Sequence, residues 1–405
     1  MRGSDSKLET PPNSKLQTPN SKLETDMDSY YFTEEHILFR QSLRAFLARE
    51  ITPHIDAWEE AGRVPREVYE KFGKMGYFGL AFPEKYGGLG LDFFYQVIFA
   101  EELARVNSGG FGAAMGAHAS LALTHLAAAG SEALKAQYLT PGIAGKAIGC
   151  LAISEPGGGS DVAALQTTAR RAGDSWVIHG AKTFITNGVS SDFIVAAVKT
   201  QPEAGAKGVS MLLIERDRPG VQATPLRKLG WHASDTAEIA FDGVKVPASN
   251  LLGQENMGFY YIMQHFALER LIMAVGAVAA ADFALEVTLQ YMKEREAFGK
   301  KLNRFQELRH RIAQMASEIE MNRQFIYALS QQFQDKKAIV KEAAMAKLLA
   351  TQLSDRVIYD CLQMHGGYGY MEDYPLARMY RDSRLGTIGG GTSEIMKEII
   401  AKMMF

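Results

Sequence analysis

Apolar residues recur at helical spacing over 33–145, where Ile37, Phe39, Leu43, Phe46 and Leu47 mark one face of a first helix. Thr33, followed by Glu34, Glu35 and His36, supplies the cap and acidic first turn that open it. The segment 82–90 interrupts the pattern with Pro83, Gly87, Gly88 and Gly90 and reads as a loop. Helical spacing resumes at 94–105 and again at 112–129. Near Ile148 the texture changes. Runs rich in β-branched or aromatic residues predict strands at 165–171, 176–179, 193–199, 210–214 and 237–241. Turn signals separate them at Gly173-Asp174, Asn187-Gly188, Pro219-Gly220 and Asp242-Gly243. From about 258 the helical period returns and runs nearly to the end. The order is helices, then strands, then helices. That order argues against a doubly wound α/β fold, and the strand spacing suggests a small antiparallel barrel or sandwich.

Residues 1–26 stand apart. Three polar near-repeats begin at Ser6, Ser14 and Ser21, and they hold too little apolar surface for a core. The expectation is a disordered tail, or one added for expression, with Met27 a candidate native start. Asp5, Glu9, Glu24 and Asp26 speak against a mitochondrial transit peptide, and no apolar signal core is visible. A cytoplasmic protein is therefore expected ahead of a mitochondrial-matrix one. The longest apolar run, 271–281, is too short to span a bilayer, and 111–129 carries His118 and His125, so no transmembrane segment is expected. The expected division is a tail at 1–26, an N-terminal α-helical domain at 27–147, a central β domain at 148–256 and a C-terminal helical domain at 257–405.

Composition narrows the chemistry. Lys and Arg number 44 against 46 Asp and Glu, a net charge of −2, which gives no electrostatic case for nucleic acid. Two cysteines make neither a disulfide framework nor a zinc site, and no metal centre is expected. No P-loop, Rossmann fingerprint, H-E-x-x-H or G-x-S-x-G is present.

Four segments place polar groups among glycines or apolar residues. In Leu151-Ala-Ile-Ser-Glu-Pro-Gly-Gly-Gly-Ser-Asp161 a strand runs into a Gly-rich turn whose bare N–H groups could cradle an anion, or could form an ordinary turn. In Lys182-Thr-Phe-Ile-Thr-Asn-Gly188, alternation places Phe184 and Thr186 on one strand face, suited to a flat heterocycle or to core packing. In His265-Phe-Ala-Leu-Glu-Arg270, Glu269 is either a solvated first-turn acid or a partly buried carboxylate able to act as a general base. In the last, Gly366-Gly367 and Gly389-Gly390-Gly391 interrupt a helical region and imply backbone that bends or approaches a ligand.

Together these motifs resemble the acyl-CoA dehydrogenase family over about 28–405. Ile153 to Asp161 is similar to its first signature. Gln363 to Tyr370, Arg381-Asp382 and Gly391-Thr392-Ser393-Glu394 are similar to its second. Arg295-Glu-Ala-Phe-Gly-Lys300 and Gln306 lie between them in the family's order. The resemblance implies a mostly α fold with a β insert: an N-terminal α-helical domain, a central β-barrel domain and a C-terminal four-helix bundle. It implies FAD lined by Leu151, Ile153, Ser154, Gly159, Ser160, Phe184 and Thr186. Arg295, Phe298, Gln306, Gln363, Gly366 and Gly367 would come from a neighbouring subunit of a homotetramer or dimer, with Thr392 and Glu394 also toward the cofactor. Ser160, Phe266, Arg270, Gly390 and Gly391 would contact the acyl-CoA.

One departure matters. Many members carry the base directly before the Gly-Thr of the second signature, where this chain has Gly390. The long-chain and isovaleryl-CoA dehydrogenase branches place it on the earlier helix, which here means Glu269. The segment 258–263 and the ending 389–397 resemble the long-chain branch. The implied reaction is α,β-dehydrogenation of a medium- or long-chain or branched acyl-CoA to the trans-2-enoyl-CoA in fatty-acid β-oxidation. Glu269 would take the proton, flavin N5 the hydride, and an electron-transferring flavoprotein the electrons. The alternatives are an acyl-CoA oxidase-type enzyme of the same fold and a non-catalytic acyl-CoA-binding protein.

Overall fold

The computed structural model describes residues 30–405, so the repeat-bearing tail at 1–26 lies outside the described residues. Helix Glu34–Glu50 opens with the expected cap. The Thr33 hydroxyl accepts from the His36 N–H, and the His36 ring accepts from the Thr33 N–H in return. Arg40 and Arg44 of this helix bind Glu101 and Glu102 of helix Phe93–Ala104 at 2.6 and 2.7 Å. Phe93, Phe94, Val97 and Ile98 then share one core with Leu271, Val275 and Val278 of the long helix Gly258–Glu294. A helix of the N-terminal region is thus packed directly onto the C-terminal one.

The middle region is a mixed eight-stranded sheet. Its strands are β1 (Gly149–Ala152), β2 (Thr168–Ala172), β3 (Ser175–Thr186), β4 (Phe193–Lys199), β5 (Val209–Glu215), β6 (Val221–Pro225), β7 (Thr236–Pro247) and β8 (Leu251–Leu252). The order is β6-β7-β3-β2-β4-β5-β8, with β1 added in parallel to β4. The expected closed barrel is not found. The end strands β6 and β8 do not pair, and β8 has only two residues, too few to carry a ladder across the gap. Gly173-Asp174 makes the tight hairpin expected between β2 and β3. Asp242-Gly243, expected to reverse the chain, instead lies inside β7. Gly243 takes φ +62° beside a register shift against β3, so the pair forms a bulge rather than a turn.

The C-terminal region consists of helices Gly258–Glu294, Gln306–Gln334 and Val340–His365, with two short helices, Pro375–Ser383 and Ser393–Lys402. The fourth member of the expected bundle is therefore divided. Between the first two helices lies a hairpin of β9 (Glu296–Ala297) and β10 (Lys300–Lys301), turned by Phe298 and Gly299 at φ +53° and +75°. Gly258–Glu294 is the one described helix long and apolar enough to cross a membrane by length and composition. Its apolar face is occupied by the neighbouring helices of the shared core.

Asp382 fastens the three regions together. Its carboxylate accepts from the Gly109 N–H at 2.8 Å and the Trp231 N–H at 2.6 Å, and its carbonyl accepts from the Trp231 indole at 3.1 Å.

Candidate active site

Strand β1 delivers Leu151 and, just beyond its end, Ile153 and Ser154 to the start of the Gly-rich turn. Glu155 and Lys182 anchor that turn from below. Lys182 is fully buried and donates to Glu155 Oε1 at 2.7 Å and to the Ile153 carbonyl at 3.1 Å. Glu155 also accepts from the backbone N–H groups of Gln166 and Thr167 at 2.5 and 3.0 Å. Burial pulls the Lys182 amine down to about 8, partly offset by Glu155. Burial also opposes the Glu155 charge, yet Lys182 and the hydrogen bonds hold that carboxyl below its usual range. Both groups are ionised at neutral pH. Lys182→Met strands a buried carboxylate and should lower stability by about 3–5 kcal/mol. The check is a lower temperature of thermal flavin release, with less loss when Glu155→Gln is added.

Above this anchor the turn is open. A Cβ added at Gly157 or Gly158 meets nothing within 4 Å, and Gly159 and Ser160 are exposed. The Gly158 N–H is taken by the Glu155 carbonyl at 3.0 Å, so what the turn offers a ligand is open space against its bare backbone. Phe184 lies 72 % exposed on β3 at φ +60°, where β3 and β7 lose register between Lys182 and Ile185. A large aromatic in the left-handed region is strained, and the irregularity that imposes it leaves the ring exposed, two residues before the half-buried Thr186. Such a ring suits the flank of an isoalloxazine.

Glu269 lies two turns below Ile262 on helix Gly258–Glu294. By surface it is only half-buried, because it borders open space, yet protein surrounds its carboxyl. Burial pushes that carboxyl up to about 7, against the opposing influence of Arg270 and Lys347. Among the described residues no hydrogen bond or ion pair holds it. A Cβ built on Gly390 would stand 3.8 Å from Glu269 Oε1. The carboxylate thus occupies the space next to the position from which other members of the resembled family launch their base. The same Cβ would lie 2.4 Å from Met273 Sδ, and Gly390 has φ +61°, so a side chain here would have to push the Met273 thioether aside and accept a strained backbone. Gly391, at φ +95°, continues the turn, and the Thr392 hydroxyl caps helix Ser393–Lys402 by accepting from the Ile395 N–H. Glu394 is exposed in the first turn. Arg270 is buried with its guanidinium 5.3 Å over the Phe266 ring.

A second group of expected residues converges elsewhere. Arg295, Gln363, Gly366 and Gly367 line one cavity of about 560 Å³ with Tyr291 and Tyr368. The Arg295 guanidinium lies 5.5 Å from the Tyr368 ring centre, and Gly366 and Gly367 leave open space where side chains would be. A cation, an aromatic and bare backbone together fit a nucleotide and its pyrophosphate. Phe298 and Gln306 are not among the residues lining this cavity. Phe298 projects 96 % exposed from the β9–β10 turn, and Gln306 is exposed at the first position of helix Gln306–Gln334.

The sequence reasoning assigned no role to Lys182, Glu155 or Lys347. Lys182 and Lys347 each sit in a regular element where a lysine reads equally well as a surface residue, and Glu155 sits in a loop.

The chain matches three family models in order: the acyl-CoA dehydrogenase N-terminal domain at 33–146, the middle domain at 150–244 and the C-terminal domain at 256–405. It is 42% identical over 392 residues to the mitochondrial long-chain specific acyl-CoA dehydrogenase of Sus scrofa, covering 96% of this chain and 91% of that one. It is 44% identical to a solved acyl-CoA dehydrogenase from Geobacillus kaustophilus, with TM-score 0.89 and coverage of 92% and 99%. It is 28% identical to a solved glutaryl-CoA dehydrogenase from Mycobacterium smegmatis in complex with FADH2, with TM-score 0.88 and coverage of 94% and 96%. The three matched domains, in the order helices, open sheet and second set of helices seen in the fold, place the chain in the acyl-CoA dehydrogenase family.

Proposed function

We propose that the chain dehydrogenates medium- or long-chain or branched acyl-CoA thioesters to trans-2-enoyl-CoA, with Glu269 as the base. The carrying observation is the unpaired Glu269 carboxylate 3.8 Å from the site of a Gly390 Cβ. Its carboxyl, raised to about 7, is basic enough to take an α proton and still ionised in part at neutral pH.

FAD is the cofactor, and when bound it supplies the acceptor for the hydride leaving the β carbon. The chain's own groups do the rest. Ser154, Gly159 and Ser160 line the turn toward the flavin, and Phe184 and Thr186 flank its ring. Arg295 opposes the pyrophosphate charge, while Gln363, Gly366 and Gly367 admit the nucleotide. The backbone N–H groups of Gly390 and Gly391 stabilise the thioester oxygen as the α proton leaves to Glu269, the Gly389 N–H being taken by the Leu385 carbonyl at 2.8 Å. Phe266 and Arg270 border the substrate.

Phe184 and the Arg295 cavity both lie open, and Phe298 projects outward. These features support a flavin shared with a neighbouring copy in a dimer or homotetramer. An electron-transferring flavoprotein is the proposed acceptor, and the cytoplasm the proposed location. The test is a panel of straight and branched acyl-CoAs scored by anaerobic flavin bleaching. Rapid reoxidation of the bleached enzyme in air would favour the oxidase reading instead.

The Met273 contact makes a further expectation. Glu269→Gln with Gly390→Glu should stay nearly inactive, because the new side chain must displace Met273 Sδ from a strained backbone at φ +61°. Adding Met273→Ala should recover part of the bleaching rate. Recovery without the Met273 change would contradict the packing argument.

A further inference from the structure

Lys347 stands on helix Val340–His365 among Ala343, Ala344, Ala346, Ala350 and Thr351, and its side chain is 0 % exposed. An ammonium buried among alanines is costly unless it is partnered. Its hydrogen bond runs from Nζ to the Gly391 carbonyl at 2.6 Å. That carbonyl belongs to the left-handed turn whose Gly390 faces Glu269 Oε1. One buried cation therefore ties a separate helix to the turn that borders the base.

We infer that Lys347 is a positioning residue: it holds the 389–391 turn against Glu269 and adds a second positive charge to that of Arg270 beside the carboxylate. The inference rests on Glu269 being the base. The charged groups that face this point come from three helices. Glu269 and Arg270 lie on Gly258–Glu294, Lys347 on Val340–His365, and Glu394 on Ser393–Lys402. Arg270 is the other cation near Glu269. It is engaged with the Phe266 ring, and its Nε has no hydrogen-bond partner among the described residues. Burial lowers the Lys347 amine to about 8, and Arg270 lowers it further, against Glu269 and Glu394. The amine is thus still mainly protonated at pH 7. Through space it favours the ionised form of Glu269 and offsets part of the cost of burying that carboxylate.

Three substitutions in the FAD-loaded enzyme separate these roles. Lys347→Met removes both the charge and the hydrogen bond. Lys347→Gln removes the charge and keeps a donor. Lys347→Arg keeps both. The readout is the pH profile of kcat/KM with a good acyl-CoA, together with flavin content. Met and Gln variants should move the acid limb to higher pH by a few tenths of a unit, roughly, because a carboxylate that keeps Arg270 but loses its second cation protonates more readily. Lys347→Arg should restore the wild-type limb. An unmoved limb in flavin-loaded Met and Gln variants overturns the inference. So does failure of all three variants to yield flavin-loaded enzyme, which would assign Lys347 to folding alone. If Glu269→Gln is inactive while the limb stays put, only this inference falls. If Glu269→Gln is active, the base assignment itself falls.

Discussion

Glu269→Gln should keep its yellow flavin and lose about 10²–10⁴-fold in kcat, the usual contribution of a positioned general base. The geometry makes the substitution clean. The carboxylate has no protein partner among the described residues, so the amide disrupts no hydrogen bond, and its shape is nearly unchanged. Wild-type turnover would remove Glu269 from the mechanism. The remaining wild-type activity should fall below about pH 7, where the carboxyl takes up its proton. Stability should move the other way. A carboxyl whose pKa is raised on folding binds its proton more tightly in the folded chain. Its charge therefore weakens the fold progressively as pH climbs from the ordinary carboxylate range toward 7. Glu269→Gln should be more stable than wild type at pH 8, by an amount on the order of 1–3 kcal/mol, and should show little gain at pH 4.5. Thermal unfolding at both values measures it. The same desolvation that makes the group a base makes it a burden on the fold, as functional sites often are.

Such a residue was only half legible beforehand. Its position, an acid ahead of an apolar helical run, fits a solvated first-turn residue as well as a base. What decides is enclosure, and enclosure depends on which faces of two distant helices meet. The helical spans read well, because their period is set by the chain itself. The sheet read less well. Alternation grouped Phe184 with Thr186, but the outward ring arises from a bulge at φ +60°, which a regular period cannot encode. Asp242-Gly243 carries the composition of a turn, yet pairing with β3 on both sides keeps the chain running straight through it. Lys347 was hidden for the opposite reason. A lysine among alanines is a good surface-helix sequence, and only the approach of Gly391 makes it a buried cation.

Asp382→Ala should be the most damaging substitution away from the active site. The wild-type carboxylate satisfies two backbone N–H groups from two other regions, Gly109 and Trp231. Removing it leaves both donors without their acceptor at a tight junction, where a Cβ on Gly230 would come within 2.6 Å of Asp382 Oδ1. Each stranded donor costs about 1–3 kcal/mol, so a loss of roughly 2–6 kcal/mol is expected. Because several regions meet at this residue, the loss should appear as early separation of a region rather than one cooperative shift. Limited proteolysis near Trp231 and Gly109 should accelerate, and flavin release should precede global unfolding on heating. Burial holds the Asp382 carboxyl above its usual range, with the Trp231 and Gly109 hydrogen bonds pulling it back. Its contribution is therefore not one that acid removes first, and the deficit of the alanine variant should persist at pH 6. Asp382→Asn retains the volume and one acceptor oxygen, so it should fall between wild type and alanine. Asp382 also begins the short stretch that ends at the 389–391 turn. Loosening it should lower kcat/KM in any alanine variant that still binds flavin, because the turn bordering Glu269 would no longer be fixed at its near end. An alanine variant with wild-type proteolysis, flavin retention and kcat/KM would mean that the three regions are held together by apolar packing alone.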